Sequence, residues 1–170
     1  MTDPEFRDAF HLHKDVLYRF AYRMTGSRAL AEDVVQECYL ALWRRPGAYD
    51  AQRGAVRAFL LGIARNVILK RWRDERPYEE LDAESFICQP VDLPAGERAE
   101  FVARAVAHLP PLQREALILA EYEEMSLEEI ARATGAAIAA AKSRLHRARD
   151  NLRRLLAPIW EETRSTNAKR

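Results

Sequence analysis

Apolar residues in this chain recur every three or four positions along nearly its whole length, and no run alternates with period two for long enough to make a strand. That pattern restricts the chain to packed helices, because a 3.6-residue repeat gathers such side chains onto one helix face. Phe6, Phe10, His13, Leu17, Phe20 and Met24 form the stripe of a first helix. Gly26 breaks it, and Ser27 is suited to cap the next. Leu30, Val34, Cys38, Ala41 and Leu42 stripe a second helix, which Pro46-Gly47 ends. Val56, Phe59, Leu60, Ile63 and Val67 stripe a third, expected to run to about Arg76 and stop at Pro77.

The repeat then lapses. Residues 78–98 hold Pro90, Pro94 and many acids without a sustained stripe, and a loop of about twenty residues is uncommon inside a compact domain. This predicts an all-α chain of two small helical domains joined by a flexible linker: an N-terminal domain over 1–77, an acidic linker over 78–97 with room for a helical turn around Leu81 to Phe86, and a C-terminal domain over 98–170. The 170 residues, 48% of them hydrophobic, suffice for such a core.

The second block is expected to begin near Ala95. Phe101, Val102, Ala105, Val106 and Leu109 lead to Pro110-Pro111, and proline suits the first turn of the helix that follows, which carries Leu112, Ala116, Leu119 and Ala120. Ser126 stands three residues before Glu129, the spacing of a reciprocal cap. A short helix from Leu127 to Thr134, Gly135 as a left-handed stop, and a long basic helix from about Ala137 to Leu156 complete a helix-turn-helix pattern. Its last helix carries the stripe Ile138, Ala141, Leu145, Ala148, Leu152 and Leu155. A second helix of this kind fits the DNA major groove, with Lys142, Arg144, Arg147 and Arg149 reaching base edges or phosphates.

The net charge of +1 hides a strong separation. Residues 59–77 hold five cations against two acids, residues 142–154 hold six against Asp150, and residues 78–100 hold seven acids against Arg98. Two basic patches around an acidic stretch point to a polyanionic partner. Other classes fit poorly. Cys38 and Cys88 are far apart, with no CxxC or Cys/His cluster to suggest a disulfide framework or zinc site. His11, His13, His108 and His146 are scattered, and His11 and His13, two apart, leave a helix on different faces, so no metal or other cofactor is expected. Neither a nucleophile elbow, a phosphate-binding glycine loop nor a zinc-protease motif occurs, so no enzymatic activity is expected. Apolar runs such as Phe59 to Ala64 fall far short of the about 18 residues of a membrane span, and the polar opening MTDPEFRD has no signal-peptide core, so the expected compartment is the cytoplasm.

The segments AEDVVQECYLALWRR (31–45) and FLLGIARNVILKRWRDERP (59–77) resemble the first conserved domain of sigma-70 family transcription factors, and LPPLQREALILAEYEEMSLEEIARATGAAIAAAKSRLHRARDNLRRLL (109–156) resembles their promoter-binding C-terminal domain. Their order, with a variable linker between, is similar to the small extracytoplasmic-function (ECF) sigma factors, over roughly residues 8–77 and 98–156. The resemblance implies a transcription initiation factor that binds core RNA polymerase and promoter DNA. Asp33, Gln36 and Glu37, with Leu40 one turn on, match the surface that grips a coiled coil in the clamp of the largest polymerase subunit, and their spacing puts the three polar side chains on one helix face. Asn66 matches an asparagine beside a base flipped from the −10 element, and the loop from Tyr49 to Arg57 matches the one that cradles that base. Lys70, Arg71, Trp72, Arg73 and Arg76 suit the separated strand, with Trp72 equally readable as a domain-packing residue. Lys142, Ser143, Arg144, His146, Arg147 and Arg149 fall on the helix that reads the −35 element.

The chain departs from the family where Pro, Gly, Thr and Val commonly precede the recognition motif. Ala137, Ala139, Ala140 and Ala141 stand there, so the threonine hydroxyl is missing and the helix is favoured to start early. In the family the acidic linker threads through the polymerase toward the RNA exit path; here a solvated tether is the other reading. The resemblance further implies an anti-sigma factor as partner and a monomer when free. The alternative is a helix-turn-helix repressor or response-regulator effector, which would be a dimer on a palindromic site.

Overall fold

The computed structural model describes residues 3–44, 47–50, 52, 54–75 and 98–167, with side chains described between residues 7 and 157. The linker, its suggested turn at 81–86, Arg76 and Cys88 lie outside the described residues. Among the described residues every regular element is helical: α1 (Asp3–Thr25), α2 (Arg28–Arg44), α3 (Val56–Glu75), α4 (Arg98–Ala107), α5 (Pro111–Leu117), a π-helical turn (Ile118–Tyr122), α6 (Leu127–Thr134) and α7 (Ile138–Asn167).

Local chemistry sets the breaks. Gly26 adopts φ +69, which favours glycine, and the Ser27 hydroxyl accepts the Leu30 N–H at 3.3 Å to start α2. Ser126 and Glu129 exchange side-chain and backbone hydrogen bonds at the start of α6, a cap worth about 1 kcal/mol. Gly135, at φ 66, stops α6 and turns the chain into α7. The π turn was not foreseen. There the Glu123 N–H reaches back five residues to the Ile118 carbonyl (3.1 Å), and Glu124 follows at φ 54, so two local departures aim Glu123 inward. The α7 helix also runs beyond the end of its apolar stripe, to Asn167, and α4 begins at Arg98 rather than Ala95.

The N-terminal unit is a three-helix bundle. Leu17, Phe20 and Met24 of α1 pack on Val34, Cys38 and Leu42 of α2 and on Leu60, Leu61, Ala64 and Ile68 of α3. Burial, followed by the neighbouring Glu37 charge, pushes the Cys38 thiol up to about 12, so it is a packing group rather than a nucleophile. The C-terminal unit wraps α4, α5 and α6 around α7 through Ala105, Leu109, Ala116, Ile130, Ala141, Leu145 and Ala148.

The two units share one apolar core. Helix α3 packs on α6 as well as on α1 and α2, while α1 meets α4 and α5. This explains why α3 is buried over more of its circumference than a single stripe allows: Leu61, Gly62 and Leu69 are covered in addition to the expected face. At Gly62 the approach is closest, since a Cβ there would lie 2.9 Å from the Ala133 carbonyl oxygen.

His13 joins the α1 stripe and is buried, its Nε2 lacking a hydrogen-bond partner. Burial first, and the nearby Arg57 charge second, hold its pKa below the ordinary 6.5. The unfolded chain therefore takes up the proton first, so this stabilisation is present above pH 6.5 and is lost as pH falls toward the folded value. Denaturant titrations at pH 7.5 and at about pH 5.5 are expected to show a smaller acid-dependent loss of stability in His13→Leu than in wild type; equal losses would remove His13 as the cause.

Candidate nucleic-acid interface

Helix α2 presents Asp33, Gln36, Glu37 and Leu40 outward, as their spacing predicts. The carboxylates of Asp33 and Glu37 converge on one cation, Arg71 of α3, which donates to Asp33 Oδ2 at 3.3 Å and to Glu37 Oε1. The Glu37 hydrogen bond is the main influence holding the Arg71 pKa above its ordinary value. Arg71 thus bridges two helices and is not grouped with the other cations of α3. Beside this face lies a groove of about 580 Å³ between α1 and α2, walled by Phe10, Tyr18, Val35, Tyr39, Leu40 and Trp43. Trp43 is 69% exposed and Leu40 42%, an apolar presentation typical of interaction surfaces. Sequence inspection passed over Trp43; its place off the α2 stripe was the available signal.

On α3, Asn66, Lys70 and Arg73 are exposed at spacings that share one face. Asn66 Oδ1 accepts from Arg65 Nη1 at 3.0 Å, and Arg73 Nε donates to the Leu69 carbonyl at 3.3 Å. Trp72 turns away and is half-buried against the shared core, with the Arg114 guanidinium 5.6 Å from its ring centroid. In the preceding loop the Tyr49 hydroxyl donates to the Gly54 carbonyl at 3.2 Å, and the ring lies 5.6 Å from that of Phe59. A cleft of about 300 Å³ opens there, lined by Tyr49, Gly54 and Phe59 on one side and by Glu129, Arg132 and Ala133 of the C-terminal unit on the other.

On α7, Lys142, Ser143, His146 and Arg149 are exposed, while Arg144 and Arg147 are half-buried. His146 Nε2 lies 3.2 Å from Asp150 Oδ2, and Arg149 donates to Glu121 Oε1 on the π turn at 2.6 and 2.9 Å. The alanine-rich lead-in starts the helix at Ile138, with the Ala141 N–H bonded to the Ala137 carbonyl at 3.0 Å. Ala141 is buried, so one of these alanines serves packing.

Sequence inspection also missed the polar groups between the units. Glu115, 1% exposed, accepts from Arg65 Nε at 2.6 Å; Glu123, 3% exposed, accepts from Arg57 Nη2 at 2.6 Å and has Arg23 Nη1 at 3.7 Å. The Glu123 backbone carbonyl accepts a second bond from Arg57 at 2.9 Å. Arg114 donates to the Met24 carbonyl of α1 at 2.5 Å; burial lowers its pKa to about 10, which leaves it charged at neutral pH. The available signal was a glutamate, Glu115, standing among apolar stripe positions.

Comparison with known proteins accounts for both units. Residues 9–78 match Sigma-70 region 2, and residues 99–152 match Sigma-70, region 4. The chain is 30% identical over 169 residues to the ECF RNA polymerase sigma factor SigW of Bacillus subtilis, covering 91% of this chain and 90% of that one. It is 32% identical over 168 residues to SigE of Mycolicibacterium smegmatis, where the match spans 94% of this chain but 65% of the relative. The solved structure of the sigma factor RpoE of Bartonella quintana, in complex with its anti-sigma factor NepR, superposes with a TM-score of 0.68 at 29% identity over 90% of this chain and 97% of that one. A regulator with an unrelated sensing domain would have no region 2, so that alternative falls away. With both regions matched in order, and full-length relatives at this identity, the chain belongs to the ECF sigma factors of the sigma-70 family.

Proposed function

We propose that this protein is a cytoplasmic, non-enzymatic initiation factor that binds core RNA polymerase through α2 and α3 and directs it to promoters with −35 and −10 elements. The observation that carries this reading is the presence, on one chain matching both sigma regions, of three separate outward helix faces: Asp33, Gln36, Glu37 and Leu40; Asn66, Lys70 and Arg73; and Lys142, Ser143, His146 and Arg149. Asp33, Gln36, Glu37 and Leu40 face the polymerase clamp, with the apolar groove at Trp43 extending that contact. Asn66, Lys70 and Arg73, with Arg76, meet the melted −10 strand, the amide reading a base edge and the cations holding phosphates. Lys142, Ser143, Arg144, His146, Arg147 and Arg149 meet −35 duplex. RNA synthesis itself belongs to the polymerase. The complex of the similar RpoE with NepR supports an anti-sigma factor as a further partner of a chain that is otherwise monomeric.

Two experiments test this division. Because Asp33 and Glu37 share Arg71, amide substitutions preserve shape while removing charge. Asp33→Asn with Glu37→Gln is expected to weaken binding to core polymerase about tenfold in a competition assay while leaving helicity unchanged; unaltered competition would contradict the clamp assignment. On a promoter selected by the protein from a random library, Asn66→Ala is expected to spare −35 duplex binding and impair opening, read by permanganate reactivity. Lys142→Ala is expected to weaken duplex binding and lower the salt slope by about one. Wild-type opening by Asn66→Ala would overturn the −10 assignment.

A further inference from the structure

The exposed amide of Asn66 is not free to turn. Its Oδ1 accepts from Arg65 Nη1 at 3.0 Å. Arg65 is itself anchored: its side chain is 15% exposed, and its Nε donates at 2.6 Å to Glu115, which is 1% exposed. The guanidinium is planar and stiff, so fixing one nitrogen on a buried carboxylate fixes the direction of the others. An asparagine amide can trade its oxygen for its nitrogen by a half turn about its last side-chain bond, and it offers an acceptor on one side and two donors on the other. Arginine decides between the two, because it carries donors and no acceptor, so only the carbonyl oxygen can meet it. The NH2 group of Asn66 is therefore the one left on the open side of α3. Lys70 and Arg73, exposed on the same face, also donate only.

We propose that Arg65 is a positioning residue for base recognition: it turns the Asn66 amide so that this position offers the −10 strand hydrogen-bond donors alone, and so selects a base by an acceptor atom on its exposed edge. A freely rotating amide presents a donor or an acceptor as the base requires, and discriminates little. A fixed amide discriminates, since a base that brings its own N–H to this place leaves two donors opposed and unpaired. Arg65 and Asn66 are neighbours on one helix, so the bond that orients the amide lies within α3. Pairing with Glu115 uses Nε alone; the bond to Asn66 uses a different nitrogen and lies on exposed ground, where it adds little to stability and acts by orientation. The proposal rests on the reading of Asn66 as a −10 contact.

The test uses the full chain with core polymerase on a promoter that the protein selects, made as a library with each base at each −10 position; open complexes that survive a heparin challenge are counted by sequencing. Asn66→Ala is expected to lose the base preference at one position, which locates the contact. Glu115→Gln, which keeps an oxygen for Arg65, is expected to preserve that preference. Arg65→Met with Glu115→Gln leaves no buried charge unpaired, and is expected to weaken the same preference about fivefold while the other −10 positions keep theirs. Asn66→Asp keeps a bond to Arg65 but turns an oxygen outward, and is expected to lose the preference as fully as Asn66→Ala. If Asn66→Ala loses the preference but either the Arg65→Met double variant or Asn66→Asp retains it, the proposal is wrong and the −10 reading stands. A double variant that opens every library member less well, with its base preferences intact, would show a structural role only and would also overturn the proposal. If Asn66→Ala keeps every preference, the −10 reading falls and the proposal with it.

Discussion

Two carboxylates inside an apolar core dictate how this molecule can be arranged. Glu115 and Glu123 are almost wholly removed from water, and each has its short charged contact with an arginine from the other half of the chain. Removing one partner of a buried pair typically costs about 3–5 kcal/mol. The seam between the units is therefore held by charge as well as by apolar burial. Burial raises the Glu115 pKa, and the charge and hydrogen bond of Arg65 and then the charge of Arg144 oppose that rise. The carboxylate is held by its surroundings at the cost of desolvation.

The rest of the geometry follows from accommodating this contact. Helix α3 is apolar around most of its girth because it serves two cores. Gly62 is required where it nears Ala133, and the π turn with Glu124 at positive φ delivers Glu123 to Arg57 and Arg23. Arg114 ties the same seam from the other direction, bonding the Met24, Ala107 and Leu109 carbonyls. The faces proposed for function are ones that the seam leaves free: the acidic edge and apolar groove of α2, the Asn66–Lys70–Arg73 line of α3, and the exposed Lys142, Ser143, His146 and Arg149 of α7.

Much of this was legible in the sequence, for a physical reason. Helix periods, the Ser126–Glu129 cap, the Gly135 stop and the outward faces of α2 and α7 depend on residues within a turn or two of one another, so spacing suffices to find them. What escaped depended on tertiary partners. Arg71 sits in a cationic run, and only the fold shows that Asp33 and Glu37 meet its charge across the bundle. Trp72 carried two readings, and here its ring lies against the core beneath Arg114. Arg57, Arg65, Glu115 and Glu123 form no local motif at all; only a folded chain brings together groups some fifty or more residues apart.

The most direct measurement is the distance between the two units in the full chain, read by pulsed electron resonance on spin labels placed on the exposed sides of α2 and α7. A single short, narrow distribution is the expected result, because the two units share one core. A long, broad distribution would contradict a core shared by the two units and held by Glu115 and Glu123.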